Sequence, residues 1–176
     1  EHAWRTGGAP SRTSTMFAAL KSNVRVEDLV RGVIVQFAND ACIILGEGIA
    51  GSETAFAERM TKEARALGLQ KSTFANATGL THPQHYATVR DLAMLSSALI
   101  RDFPEFYPLY SQKEFRYNNI TQQNRNRLLF TDPSVDGSKT GHTDAAGYCL
   151  ISSAKREQPG SGFSRRILSV LMGASS

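Results

Sequence analysis

Lys139, Thr140 and Gly141 are the stretch of this sequence with the plainest chemical potential. The lysine supplies a fixed positive charge, the threonine a hydroxyl that both donates and accepts, and the glycine room for another backbone to lie close. At the edge of a sheet, such a triplet holds a carboxylate-bearing peptide by strand addition. Its neighbours fit that placement. Val135-Asp136-Gly137-Ser138 leads in, and Tyr148-Cys149-Leu150-Ile151 follows with strand character. A given tripeptide arises by chance in a chain this long with a probability of roughly a few per cent, so its companions must decide.

Other chemistries find no support. His2, His82, His85 and His142 show no metal-ligand spacing, and neither a metal nor a cofactor is expected. Nucleophile-elbow, phosphate-loop and dinucleotide patterns are missing from the sequence. Ser152-Ser153-Ala154-Lys155 does match Ser-x-x-Lys. It lies on a run with strand character, however, where positions i and i+3 point to opposite faces, so the pair is a decoy. Cys42 and Cys149 each sit in an apolar run and are expected as two buried thiols, without a disulfide. The net charge of +4 permits nucleic-acid binding. The basic residues are scattered, though, and the densest cluster, Asn124-Arg125-Asn126-Arg127, reads as a solvated face; no nucleic-acid partner is expected. Attraction to an anionic surface polymer such as a cell wall fits the charge equally well.

The elements that must position the triplet follow from periodicity and caps. With 176 residues, 41% of them apolar, the chain has the length and composition of one globular domain with a real core. Residues 1–25 read as irregular. Val26 to Gln36 has helical spacing, with Glu27 and Asp28 in the first turn. Asn39-Asp40 caps a second, buried helix from Ala41 to Leu45 that fades through Gly46, Gly48 and Gly51. Ser52 caps an amphipathic helix from Glu53 to Leu67, ended by Gly68. After a turn-rich loop, Thr88 and Asp91 form a capping box for a helix from Val89 to Arg101. Glu114 to Tyr117 alternates like a short strand, and Asn118 to Arg127 is polar connection. Tyr148 to Ala154 and Ile167 to Met172 are strands. With the Lys-Thr-Gly strand leading in, the fold class is α+β: an antiparallel sheet packed against a helical cluster.

The motifs together resemble a known family. Val135 to Thr143, followed by Ala146-Gly147-Tyr148, looks like the third active-site motif of the D-alanyl-D-alanine carboxypeptidases, the low-molecular-mass penicillin-binding proteins among the cell-wall serine peptidases. The likeness continues through Asp28-Leu29-Val30-Arg31-Gly32, Leu67-Gly68-Leu69, Thr73-Phe74-Ala75-Asn76, Thr78-Gly79-Leu80, Tyr86 to Ala93, Asn118-Asn119-Ile120 and Asn124-Arg125-Asn126, in family order. The resemblance implies a β-lactamase/transpeptidase-like fold, with residues 1–176 forming part of the penicillin-binding catalytic domain. It implies acyl transfer: a serine attacks the D-Ala-D-Ala carbonyl of a peptidoglycan pentapeptide, D-alanine leaves, and water hydrolyses the acyl-enzyme. β-Lactams mimic the dipeptide and stop at the acyl stage. By the same resemblance Lys139 supplies positive potential, Thr140 hydrogen-bonds the substrate, and Gly141 permits its approach. The backbone N–H at His142 completes the oxyanion hole, and Asn39 bonds the substrate amide. The implied location is the periplasm or cell envelope of a bacterium.

Two departures stand out. The family's nucleophilic Ser-x-x-Lys is expected upstream of Glu1, which makes this chain a fragment that turns nothing over by itself. The middle motif should read Ser-x-Asn at positions 37–39, but Phe37 stands where the serine belongs, and its ring neither donates nor accepts a hydrogen bond. Two readings therefore stay open: a piece of an active carboxypeptidase, or a degenerate module that still binds peptidoglycan or β-lactams. Phe37 favours the second, whereas the missing nucleophile is explained equally by truncation.

Overall fold

A single buried carboxylate organises much of the first forty residues in the computed structural model, which describes residues 1–175. The chain divides into two compact units. Unit one comprises Glu1–Glu63, Thr73–Tyr86 and Gln112–Arg125, and unit two Ala64–Ser72, Ala87–Ser111 and the residues from Asn126 onward.

In unit one, the region read as irregular begins with helix α1 (His2–Thr6) and a 3₁₀ turn at Ala9–Ser11. Gly7 explains why α1 seats where it does: a Cβ there would lie 2.6 Å from the Asp40 backbone nitrogen. Only glycine lets the two backbones approach so closely. The extended segment that follows is gripped by Asp40. Thr15 Oγ1 donates to Asp40 Oδ2 at 2.6 Å, the Ala18 N–H to the same oxygen at 3.1 Å, and the Met16 N–H to Oδ1 at 3.1 Å. The Ala41 N–H adds a fourth bond at 3.0 Å.

Helix α2 (Val26–Arg31) continues as one π-helical turn, Gly32–Gln36, where the periodicity predicted a single regular helix. The turn closes on one carbonyl: the N–H groups of Phe37 and Ala38 both donate to Gly32 O, and Phe37 takes the left-handed conformation at φ 59°, ψ 36°. Helix α3 (Asn39–Ala50) starts two residues earlier and ends five later than expected. Gly46 does not end it, because the Phe56 ring packs flush against that position: a Cβ would lie 3.0 Å from the ring. Its first turns are buried, but Gly48 and Ile49 are exposed, so α3 is not the fully buried helix expected. Asn39 and Asp40 lie inside the helix instead of capping it; Ala38 is the cap residue. Helix α4 (Glu53–Ala66) begins as predicted, with Ser52 Oγ accepting from the Ala55 N–H at 3.1 Å.

The segment 118–127, read as connection, contains a strand. β1 (Glu114–Tyr117) and β2 (Ile120–Gln123) form an antiparallel hairpin around Asn118 and Asn119, both at positive φ. That pair gives the two-residue turn whose twist matches the strands. The hairpin also bonds the Asp40-bound segment: Gln122 Nε2 donates to Thr15 O at 2.9 Å and Asn118 Nδ2 to Phe17 O at 3.2 Å.

In unit two, α5 (Val89–Asp102) starts at Thr88, whose Oγ1 accepts from the Asp91 N–H at 3.2 Å. The box is not reciprocal. Asp91 turns its carboxylate to Ser72 Oγ at 2.7 Å and the Lys71 N–H at 2.9 Å, tying the loop after α4 to the start of α5. A 3₁₀ turn (Tyr107–Ser111) and helix α6 (Leu128–Thr131) precede three strands, β3 (Val135–Thr143), β4 (Gly147–Glu157) and β5 (Ser164–Ala174). They form an antiparallel sheet in the order β3-β4-β5, with α5 packed against β5. Cys42 and Cys149 are not disulfide-bonded, and both are half-buried rather than buried.

Asp91 gives the fold a pH signature. The Ser72 hydroxyl foremost, then the Lys71 N–H, the Thr88 side chain and the charge of Arg65, hold its carboxyl below the usual carboxylate range, against the opposing effect of burial. A lowered folded pKa means stability that is present above the unfolded value and lost as pH falls through the folded one. The gap in thermal midpoint between wild type and Asp91→Asn is therefore expected to be full at about pH 7 and to close on acidification toward about pH 3. A gap constant across that range would contradict this.

Candidate active site

Strand β3 lies at one edge of its sheet, so among the described residues one side of its backbone has no strand partner. An open edge presents N–H and C=O groups in the pattern that an added peptide strand satisfies. Lys139, Thr140, Gly141 and His142 stand in sequence along it, paired on the inner side with Ile151, Leu150, Cys149 and Tyr148.

Each side chain has a distinct setting. Lys139 is half-buried and its Nζ donates to the Thr140 carbonyl at 3.2 Å, so the ammonium stays beside the strand backbone. Thr140 Oγ1 is buried with no hydrogen-bond partner, a state shared among the described side chains only with Arg31 Nε and Gln36 Oε1. Buried polar atoms are nearly always paired, and an orphan at a site is an open valence for a ligand. A Cβ on Gly141 would meet only Cys149 Cβ, at 4.0 Å. Packing within this chain thus tolerates a side chain there, and the glycine keeps the strand surface low. The exposed His142 ring lies 4.2 Å from the Tyr148 ring, centroid to centroid, at the outer end of the strand pair. Ser152 and Lys155, the decoy pair, are confirmed as such: Ser152 is buried and donates to Gly137 O at 3.3 Å, while Lys155 is exposed.

Asn39 belongs to unit one. It is 8% exposed, opens α3, and its backbone N–H donates to Ser14 O at 2.9 Å. Phe37, two residues earlier, holds a backbone conformation uncommon for a bulky residue. Its ring lies 4.7 Å from the guanidinium carbon of Arg125, and Arg125 Nη2 also donates to Ser14 Oγ at 2.9 Å. The sequence reading missed Arg125 by treating residues 124–127 as a solvated basic face. Asn124 and Asn126 are buried: Asn124 Nδ2 donates to Gln112 O at 3.0 Å, and Asn126 Oδ1 accepts from the Leu128 N–H at 3.2 Å. They pin the chain on both sides of one exposed arginine. The signal that could have found it is the alternation itself, because on an extended segment Asn-Arg-Asn sends the middle side chain opposite to its neighbours.

Comparison with known proteins matches the chain to one group. The sequence pattern of the D-alanyl-D-alanine carboxypeptidase family matches residues 1–176. The D-alanyl-D-alanine carboxypeptidase DacC of Escherichia coli (strain K12) is 45% identical over 174 residues, which cover 98% of this chain and 42% of that protein. Penicillin binding protein 5 from Haemophilus influenzae superposes with a TM-score of 0.90 at 42% identity, over 99% of this chain and 49% of that one. Penicillin-binding protein D2 from Listeria monocytogenes, solved in its cefotaxime-bound form, gives a TM-score of 0.80 at 32% identity, over 94% of this chain and 66% of that one. The chain thus spans less than half the length of the curated relatives it matches. The α+β fold is that of the penicillin-binding proteins, and the chain belongs to the D-alanyl-D-alanine carboxypeptidase family.

Proposed function

We propose that residues 1–176 are part of the catalytic domain of a serine-type D-Ala-D-Ala carboxypeptidase that acts on peptidoglycan stem peptides through an acyl-enzyme and is acylated by β-lactams. The observation that carries this reading is Thr140 Oγ1, a buried hydroxyl without a partner on an open strand edge, in the residue whose carbonyl accepts from the Lys139 ammonium. A pentapeptide ending in D-Ala-D-Ala brings what that edge lacks: backbone groups for strand addition and a terminal carboxylate for the hydroxyl and the cation. A β-lactam carboxylate presents the same group.

In this mechanism a serine supplied from outside these residues attacks the penultimate carbonyl, and the lysine of its own Ser-x-x-Lys takes the proton. Charge grows on the carbonyl oxygen, and the backbone N–H at His142 receives it. Lys139 supplies positive potential to the substrate carboxylate and the nucleophile, Thr140 bonds that carboxylate, Gly141 leaves room for the peptide backbone, and Asn39 bonds the substrate amide. D-Alanine leaves with a proton, and water then hydrolyses the ester. The location that suits this substrate is the bacterial periplasm or cell envelope, and the net charge of +4 suits an anionic wall. Phe37 favours a second reading, a degenerate module that binds peptidoglycan or β-lactams without turnover.

The test uses a fluorescent penicillin and denaturing electrophoresis. Residues 1–176 alone are expected to give no labelled band and no D-alanine release, and the complete protein with its upstream Ser-x-x-Lys a covalent band. A labelled band from 1–176 would refute the placement of the nucleophile. An unlabelled complete protein that still binds the penicillin reversibly would decide for the binding module.

A further inference from the structure

We infer that Asp136 and Arg166 are positioning residues for the Lys139–Gly141 edge, acting through Ser153 and Tyr107; the inference rests on the proposed reading of that edge as the substrate strand. Asp136 entered the sequence analysis only as a neighbour of the triplet, without a role.

The β3-β4 register slips by one residue at this point. Val135 pairs with Ala154 and Gly137 with Ser153, which leaves Asp136 as the extra residue of a bulge. A bulge re-aims the side chain it carries. Here the carboxylate meets Arg166 in a fork: Nη1 donates to Oδ1 at 2.7 Å, and Nη2 lies 2.6 Å from Oδ2. Ser153 Oγ donates to the same Oδ1 at 2.5 Å and shares a 2.6 Å hydrogen bond with Tyr107 Oη. Arg166 closes the ring of groups, its guanidinium carbon 5.3 Å from the Tyr107 ring centre. Ser153 and Tyr107 are 1% and 5% exposed.

This network bears on the β3 backbone. A Cβ on Gly137 would lie 2.5 Å from Tyr107 Oη, so the strand touches the phenol directly. Its carbonyl accepts from Ser152 Oγ at 3.3 Å and Asn126 Nδ2 at 3.4 Å. The residues immediately before Ser138 and Lys139 are thus held from the 3₁₀ turn, from β4 and from β5. Beyond them the outer edge of β3 has no strand partner among the described residues, so its path is set from the inner side. A purely stabilising role explains the arrangement poorly. The Asp136 and Arg166 side chains are 32% and 30% exposed, where solvent screens an ion pair and leaves it little net worth. A displacement of about 1 Å in a substrate-positioning group, by contrast, costs about a hundredfold in rate.

The test compares the complete wild-type protein with Asp136→Asn and Arg166→Lys. Two quantities are read: the second-order rate of acylation by fluorescent penicillin, and amide exchange of the peptide spanning residues 137–143, with a peptide from α3 as control. Asp136→Asn is expected to slow acylation about a hundredfold and to speed exchange in 137–143 about tenfold, with α3 unchanged. Arg166→Lys keeps the charge, loses the fork and is expected to fall between. Unchanged exchange in 137–143 overturns the inference whether or not the wild type acylates. Faster exchange with undiminished acylation overturns it as well. A folded wild type that does not acylate counts against the proposed function alone, because exchange in 137–143 still decides whether the network holds the strand.

Discussion

Asp40→Ala is expected to destabilise the protein by about 3–5 kcal/mol. The carboxylate is 1% exposed and accepts from the Thr15 hydroxyl and from the N–H groups of Met16, Ala18 and Ala41. Alanine removes every one of those acceptors and leaves four donors facing a small void. A buried unsatisfied donor costs about 1–3 kcal/mol, and water entering the void recovers part of the sum, which gives the range stated. Asp40→Asn keeps one carbonyl acceptor but turns an NH₂ group toward donors that have nothing to offer it. Its loss should be smaller and still measurable. Urea unfolding monitored by circular dichroism is the check, and a loss under about 1 kcal/mol for Asp40→Ala would mean that the four bonds are replaceable. Asn39 is adjacent and its N–H bonds Ser14 O, so the segment that Asp40 grips also sets the first residue of α3.

Asp40 also marks where the sequence stops being readable. Helices α4 and α5 were legible because their caps, Ser52 and Thr88, and their apolar stripes are local signals. Residues 1–25 were not, because what orders them is a carboxylate more than twenty residues further along, and no local period announces a tertiary hydrogen bond. The continuation of α3 past Gly46 was hidden for the same reason: the Phe56 ring explains that glycine, and the ring comes from the next helix. β2 was missed for another cause. Asn118-Asn119 carries the turn signal, but a polar strand such as Ile120–Gln123, without an alternating apolar face, reads as connection. At the candidate site, the Lys-Thr-Gly strand was legible from residue types and its strand-like neighbours. The roles given to Asn39 and His142 came only from the family resemblance. The orphaned state of Thr140 Oγ1 and the placement of Arg125 over Phe37 needed coordinates, since both depend on what surrounds a side chain.

Phe37→Ser in the complete protein is expected to raise kcat on a D-Ala-D-Ala peptide by about a hundredfold, with a smaller improvement in KM. The asymmetry follows from the role that the family resemblance implies for the serine of Ser-x-Asn, the relay of a proton to the leaving group. A serine there passes a proton toward the leaving group, and an interaction made only as that proton moves lowers the barrier without tightening the ground state. The smaller KM gain comes from bulk, because the half-buried phenyl ring occupies volume that a hydroxymethyl group vacates. The backbone should keep its path. The left-handed turn at Phe37 is closed by two N–H bonds to Gly32 O that do not involve the side chain. What the substitution forfeits is the contact with Arg125, worth about 0.5–1 kcal/mol at an exposed site and hence a small drop in thermal stability. Arg125 keeps its bond to Ser14 Oγ, which limits how far the guanidinium can swing. Lys139→Ala is the control and should depress kcat and raise KM together, since the charge proposed to serve the substrate carboxylate and the nucleophile is lost. A folded Phe37→Ser protein with kcat unchanged or lowered would show that position 37 is not the family's serine position. Phe37 would then be a packing residue that holds Arg125 in place, and its ring, not a lost hydroxyl, would be the feature to explain.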